Sequence, residues 1–151
     1  FQNMPLIRQG GIAIFAHPCQ YQFDDLHHPS YREFFDRLLS VSIDPYELWS
    51  LFADDFANRP EYVHKYRHGY GFHGAHPFFM WNARGAPSRH LGAAFLAGVQ
   101  DFDVARRMGF EPFATVEDAI AEAETRLGKD CGITYHATPP VSIARVSNGA
   151  D

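Results

Sequence analysis

The stretch HGYGFHGAHPFF, at residues 68–79, places two histidines three positions apart, His73 and His76. An imidazole ring can bind a metal or exchange a proton near neutral pH, so this pair could serve either chemistry. A metal site needs further ligands, and none stands close by in the sequence. The aromatic run HPFFMW, at 76–81, is typical of a core helix and could also floor a ligand pocket. The sequence leaves open whether His73 and His76 face a cleft or the core.

The same stretch contains a G-x-G-x-x-G pattern, which is the spacing of a dinucleotide-binding turn. Such a turn follows a strand, so that the next helix directs its N-terminus at the pyrophosphate. Here the preceding residues, EYVHKYRH, are typical of a helix. The acidic residue expected about 20 positions later is also missing. We therefore interpret Gly69, Gly71 and Gly74 as supplying left-handed backbone between two helices.

A second candidate site ends the apolar run GGIAIFAHP at residues 10–18, which predicts a buried strand. His17 and Cys19 follow at the carboxyl end of that strand, where open α/β sheets bind their ligands. Cys19 could act as a thiolate nucleophile if its pKa were lowered. No base is paired with it in the sequence, so a half-buried thiol is the simpler interpretation.

The other histidines are weaker candidates for a functional site. His64 and His68 are four positions apart on a predicted helix and share a face. A zincin-type zinc site needs a glutamate directly after the first histidine, and Lys65 stands there, so a solvated face is the simpler interpretation. His27 and His28 precede a predicted helix, where a ring could cap it or face solvent.

Apolar runs predict three buried strands, at residues 10–18, 90–98 and 132–140. Helices are predicted between them from capping residues and apolar periodicity. They are expected from Ser30 with Glu33 as a capping box, from Asp44, from Asn58 to about His68, over 76–83, over 101–109, and from Thr115 to Gly128.

Strands separated by helices predict an α/β fold, a layered Rossmann-like domain with a small, mainly parallel sheet flanked by helices. Three strands are few, because about 5–6 is usual. The chain also opens at Phe1 with residues that resemble the tail of a helix. We therefore expect an incomplete, C-terminal part of a larger protein, with an α/β domain over 1–146 and a frayed tail over 147–151.

Composition narrows the function classes. With 46% hydrophobic residues among 151, a folded core is expected. A net charge of −5 without a basic stripe argues against nucleic acid as a partner. No apolar run approaches the ~18 residues of a membrane span. Two cysteines make no disulfide framework, and no signal-peptide pattern is visible, so we expect a cytoplasmic protein.

Three segments together resemble a known family. They are QNMPLIRQGGIAIFAHPCQYQFDDLHHPSYREFF at 2–35, GYGFHGAHPFFMW at 69–81 and TVEDAIAEA at 115–123. The sequence resembles the C-terminal part of the lactate-racemase-like family of nickel-pincer enzymes, and a subgroup with an HPC…HHPSY…EFF signature most of all. The similarity extends from residue 2 to about 146.

This resemblance implies a two-domain protein with its active site between the domains. A nickel-pincer nucleotide would remove and return hydride at the carbon that bears the 2-hydroxyl of a small 2-hydroxy acid. The family's catalytic histidines and cofactor-anchoring lysine belong to the N-terminal domain, and its substrate-binding Gln and Lys would lie upstream of Phe1. We therefore expect the N-terminal domain as a partner, no cofactor bound to this chain alone, and no isolated activity.

The sequence departs from the family's pattern at two points. His76 corresponds to the histidine of a G-x-H-x-A helix start in the racemases, but Pro77 differs from that pattern. The acidic residue and glycine-rich turn that follow the family's first strand are replaced by HPCQYQ at 17–22, which puts lactate in doubt as the substrate.

Three hypotheses follow. The chain is the C-terminal domain of a 2-hydroxy-acid racemase or epimerase, or a non-catalytic binding or assembly domain of the same fold, or a stand-alone metal-dependent enzyme that uses His17, His73 and His76. The candidate cleft residues are those three histidines and Cys19. No cofactor-binding residue or metal ligand is assigned.

Overall fold

The computed structural model describes residues 6–136 and confirms the α/β prediction. Its three strands are β1 (Ile12–Ala16), β2 (Ala93–Ala97) and β3 (Glu111–Phe113). They form one parallel sheet in the order β1-β2-β3, so that β2 is central. Parallel strands need crossover connections, and the helices provide these while flanking the sheet in layers.

The helices follow the chain in order. They are α1 (Tyr31–Glu33), which runs directly into a π-helical segment (Phe34–Leu38), α2 (Pro45–Asn58), α3 (Pro60–His68), α4 (His76–Asn82), α5 (Gly85–His90), α6 (Phe102–Arg107) and α7 (Val116–Leu127). Among these helices of residues 6–136, none has the length and apolar character that crossing a bilayer requires.

The central strand separates two layers of core. Side chains alternate along a strand, so Phe95 and Ala97 share one face of β2 and pack with Ala119 of α7. Leu96 points to the opposite face and joins the larger core, which α2, α4, α6 and the π-helical segment supply. All four of these residues are no more than 5% exposed, so the sheet is covered on both faces.

The third strand does not lie where the sequence predicts it. Residues 132–136 form no strand and are exposed, and 137–140 lie outside the described residues. The third strand is instead Glu111–Phe113, which pairs with β2 from Phe95 to Ala97. At three residues it is too short to show a periodicity. Pro112 also argues against a central strand, but its missing N–H is tolerated because β3 lies at the edge of the described sheet.

Several predicted helix starts are confirmed by their capping bonds. Asp44 Oδ1 accepts the backbone N–H groups of Tyr46 and Glu47, both at 2.9 Å. Thr115 Oγ1 accepts the N–H of Asp118 at 3.1 Å. Helices predicted over 76–83 and 101–109 are present as α4 and α6.

The capping box predicted at Ser30 does not form, because the Ser30 side chain makes no capping bond. Glu33 instead accepts hydrogen bonds from Arg59 and from the Tyr62 hydroxyl, the latter at 2.5 Å. An arginine and a phenol from another helix offer this carboxylate more than one backbone N–H can. The helix predicted from Asn58 is α3, which begins at Pro60, because proline is favoured at a first helical position.

The strand predicted over 90–98 is shorter at its start. His90 closes α5, a helix that the sequence did not predict, and β2 begins at Ala93. Within the first predicted helix, the N–H of Leu39 bonds to the carbonyl of Phe34 at 3.1 Å, which is the i→i+5 pattern of a π-helix. The Phe35 side chain of this segment reaches the site described next.

Candidate functional site

A half-open cavity of about 390 Å³ lies where β1 and β2 end at the carboxyl edge of the sheet. Most of its walls are apolar and come from well-separated parts of the chain: Phe23, Phe35, Leu96, Val104, Met108 and Phe110. Phe15 stands at the mouth, is 49% exposed and meets the Phe110 ring edge-on at 6.0 Å. This is the position at which open α/β sheets bind ligands.

His17 and Cys19 both line this cavity, as the sequence predicts. The His17 backbone N–H bonds to the carbonyl of Ala97 at 3.0 Å, and the carbonyl of Pro18 accepts the N–H of Gln100 at 2.7 Å. These bonds anchor the turn to the end of β2. The N–H of Cys19 then donates to Nδ1 of His17 at 3.0 Å, which leaves Nε2 as the proton-bearing nitrogen of a neutral ring.

Cys19 is not arranged as a nucleophile. Its side chain is buried, and burial together with the negative charge of Asp101 raises the pKa of the thiol. A raised pKa keeps the sulfur protonated at neutral pH, whereas a nucleophile needs the thiolate. Cys19 also has φ +46, a left-handed conformation that few non-glycine residues adopt. Its contribution is therefore the shape of the turn and the N–H that orients His17.

Two arginines lie over aromatic walls of the cavity. The Arg32 guanidinium is 5.0 Å from the centre of the Phe23 ring and binds Asp25 through two hydrogen bonds. The Arg107 guanidinium is 5.2 Å from the centre of the Phe35 ring.

The Arg107 guanidinium has longer polar contacts. It reaches the backbone carbonyl of Asp36 at 3.5 Å and its carboxylate at 3.9 Å. Arg107 is thus the more available of the two cations beside the cavity.

His76 does not line the cavity and instead belongs to a group of four rings, His28, Tyr31, Phe72 and His76, which we call the ring cluster. Phe72 stacks on His28 at 4.8 Å and on His76 at 4.4 Å. The Tyr31 hydroxyl and His76 Nδ1 share a hydrogen bond of 2.9 Å. His28, Tyr31 and His76 are half-buried and Phe72 is exposed, and none of the four rings lines the cavity.

Burial sets the protonation of the ring cluster. It lowers the pKa of His76, with a smaller effect from nearby His28, and it raises the pKa of Tyr31. Near pH 7 the His76 ring is therefore neutral and the Tyr31 phenol keeps its proton. Within residues 6–136, His28 Nδ1 is buried and has no hydrogen-bond partner.

His73 lies outside both groups. Its Nδ1 accepts the backbone N–H of Ala75 at 3.2 Å, and its ring meets Tyr66 edge-on at 5.1 Å. The structure does not bring His17, His73 and His76 together. No group of three or more His, Cys, Asp or Glu side chains in the described part of the chain is arranged to hold a metal, so the hypothesis of a stand-alone metal enzyme lacks support.

The glycine stretch also differs from its prediction. None of the three glycines, Gly69, Gly71 and Gly74, has a positive φ, so they do not supply the left-handed backbone that the sequence predicts. Gly74 is required by close approach instead, because a Cβ atom there would lie 2.1 Å from the carbonyl oxygen of Phe56. The helix α3 precedes the stretch, as the sequence predicts, and this excludes the strand–turn–helix geometry of a dinucleotide site.

Three further histidines that the sequence singled out, His64, His68 and His27, are exposed. The rings of His64 and His68 are 5.0 Å apart on an exposed face of α3. His27 caps no helix, because its Nδ1 pairs with Asp24 at 2.7 Å within the preceding loop.

Sequence reasoning missed Arg107 and the cavity walls formed by Val104, Met108 and Phe110. They belong to an ordinary amphipathic segment, and nothing in its pattern shows that it borders a cavity. No family model matches the sequence, and neither a similar curated protein nor a similar solved structure was found.

Proposed function

We propose that this chain is the C-terminal α/β domain of a racemase or epimerase of 2-hydroxy acids, and that it forms one wall of the substrate cleft. The single observation that carries the proposal is the cavity at the carboxyl edge of the sheet, with His17 in its lining and Arg107 beside it. The resemblance to lactate-racemase-like proteins supplies the reaction class. The cavity supports the proposal that the substrate binds to this domain.

The polar groups suit an organic acid. The Nε2–H of His17 is a hydrogen-bond donor for a carboxylate or hydroxyl oxygen. The Arg107 guanidinium adds a positive charge of the kind that recognises carboxylates. The apolar walls exclude water once the facing domain closes over them, which strengthens both interactions.

The described residues do not fit the role of metal ligands, since no suitable group of three is present among them. We therefore assign no contact with a nickel-pincer cofactor to this part of the chain and derive no step through one. We propose that this domain binds the acid, orients it and shields it from water. The N-terminal domain of the same protein is the proposed partner that holds the cofactor.

The test compares two proteins: this chain alone, and the polypeptide that joins it to the preceding domain, loaded with nickel-pincer cofactor. Each is incubated with single enantiomers of a panel of 2-hydroxy acids, and chiral chromatography follows the appearance of the opposite enantiomer. We expect interconversion by the longer protein only. His17→Ala should slow it, whereas His64→Ala, on the exposed face of α3, should not.

Interconversion by the isolated chain would overturn the division of labour. If the loaded longer protein interconverts no acid of the panel, the racemase proposal is wrong. Binding of the acids without turnover would then favour the non-catalytic binding domain.

A further inference from the structure

We propose that the cavity receives an aromatic substituent, so that the preferred substrates are 2-hydroxy acids with an aryl group, such as 3-phenyllactate, rather than lactate. This inference rests on the proposed function, because it takes the cavity to lie on the substrate side of the domain. It goes further by naming the class of side chain that the substrate carries.

The size of the cavity is the first argument. An apolar cavity of about 150 Å³ is enough to bind a benzene molecule, and this one measures about 390 Å³. The methyl group of lactate would leave most of that volume without contacts, whereas close contact is the source of binding energy in an apolar site. A phenyl ring with its connecting carbon fits and leaves room for the polar end of the molecule.

The chemistry of the walls is the second argument. Phe35 meets Phe23 at 5.7 Å, and Phe110 meets Phe15 at 6.0 Å, so aromatic pairs border the cavity. Aromatic rings favour offset or edge-on contact at 4.5–7 Å, which a third ring entering between them can extend. Two glutamines, Gln20 and Gln22, also line the cavity, but both are exposed residues. A charged substituent at the buried end, beside Leu96, Phe35 and Val104, would therefore lose its hydration without a partner.

The gradient of burial is the third argument, because it gives the ligand a direction. The walls formed by Leu96, Phe35 and Val104 are 5%, 6% and 8% exposed. His17, in contrast, is an exposed residue. An aryl group therefore occupies the buried end, and the carboxylate and 2-hydroxyl remain near His17, where the reacting carbon faces the opposite domain.

The test uses the nickel-loaded longer protein and two acids, 3-phenyllactate and lactate. We expect kcat/KM for 3-phenyllactate to exceed that for lactate by about tenfold or more. Val104→Phe fills the buried end and should reduce kcat/KM for 3-phenyllactate at least about tenfold more than kcat/KM for lactate. Val104→Ile is the matched control, because it adds a single methylene group where phenylalanine adds a ring.

Phe15→Ala provides a second variant in case Val104→Phe disturbs folding, because Phe15 stands at the exposed mouth of the cavity. It should lower the preference for the aryl acid severalfold. An independent measurement follows the methyl NMR signals of Leu96, Val104 and Met108 during titration with each acid, without any need for turnover. We expect 3-phenyllactate, and not lactate, to shift them.

The outcomes separate the two proposals. A kcat/KM for lactate at least equal to that for 3-phenyllactate would overturn the aryl preference and leave the racemase function standing. Methyl shifts with 3-phenyllactate but no turnover of either acid would overturn the racemase function and leave the aryl site standing. Neither turnover nor shifts would overturn both.

Discussion

The backbone N–H of Cys19 donates a hydrogen bond of 3.0 Å to Nδ1 of His17, across a turn in which Cys19 takes a φ of +46. Left-handed backbone at a non-glycine residue is costly, of order 1 kcal/mol, and is concentrated at functional sites. Here it has a definite result, because it directs an N–H at Nδ1 of the histidine and leaves Nε2 as the nitrogen that carries the proton of the neutral ring.

The first prediction concerns the tautomer of His17. Long-range proton–nitrogen NMR of the neutral side chain should show the proton on Nε2, because an Nδ1 that accepts a hydrogen bond carries none. Cys19→Gly should preserve this form, since glycine keeps the N–H and adopts positive φ freely. A neutral ring protonated mainly at Nδ1 would contradict the geometry.

The second prediction concerns Arg107. Arg107→Gln should raise KM for 2-hydroxy acids roughly tenfold or more, as expected when a charged hydrogen bond to a carboxylate is lost. Arg106→Gln is the matched control, since Arg106 is its neighbour on α6 and also lies over a ring, that of Phe102 at 5.6 Å. Equal effects of the two substitutions on KM would remove Arg107 from the site.

The third prediction concerns acid stability. The lowered pKa of His76 means that the folded protein binds fewer protons there than the unfolded chain, whose histidines titrate near 6.5. The contribution of His76 to stability is therefore complete above about pH 6.5 and is lost as pH falls through the lowered folded pKa. Urea unfolding of the wild type should show this loss.

His76→Phe keeps a ring against Phe72 without a titrating group, so its stability should fall less steeply below about pH 6.5. His64→Phe, on the exposed face of α3, is the control and should follow the wild-type slope. Parallel curves for the wild type and His76→Phe would show that His76 titrates as freely in the folded state as in the unfolded one.

The fourth prediction concerns Gly74. Gly74→Ala should destabilise the fold by about 2–4 kcal/mol, because the added Cβ would overlap the Phe56 carbonyl and press on Tyr62. Gly71→Ala is the control, since its nearest neighbour would lie at 3.3 Å. Urea midpoints of both variants give the comparison. Equal losses would mean that the backbone of the 69–74 segment yields more readily than its packing suggests.

Much of the fold could be predicted because its signals are local. The apolar runs of β1 and β2 and the capping side chains of Asp44 and Thr115 act within a few residues of themselves. The predicted strand at 132–140 failed over its described part because β-propensity has no effect without a partner strand. Conversely, Glu111–Phe113 became a strand because the edge of β2 was open to it.

The candidate site was likewise predictable only where its signals are local. His17 and Cys19 follow a predicted strand, so their position at the carboxyl edge could be inferred from the chain alone. The Tyr31–His76 hydrogen bond joins residues 45 positions apart, and no local pattern announces it. The cavity walls formed by Val104 of α6 and Phe35 of the π-helical segment likewise depend on how these two elements meet, which only tertiary packing decides.

The pairing of Ile12 with Ala93 also fixes an order of events during synthesis. The strand Ile12–Ala16 is synthesised before its described partner, which is complete only when Ala97 has been added, roughly 4–16 s later at ordinary rates of translation. Through that interval this apolar segment lacks its β2 partner, while α2 and α3 can already form from local contacts. The cavity is lined by residues from Phe15 to Phe110, so it can form only after most of the described domain has been synthesised.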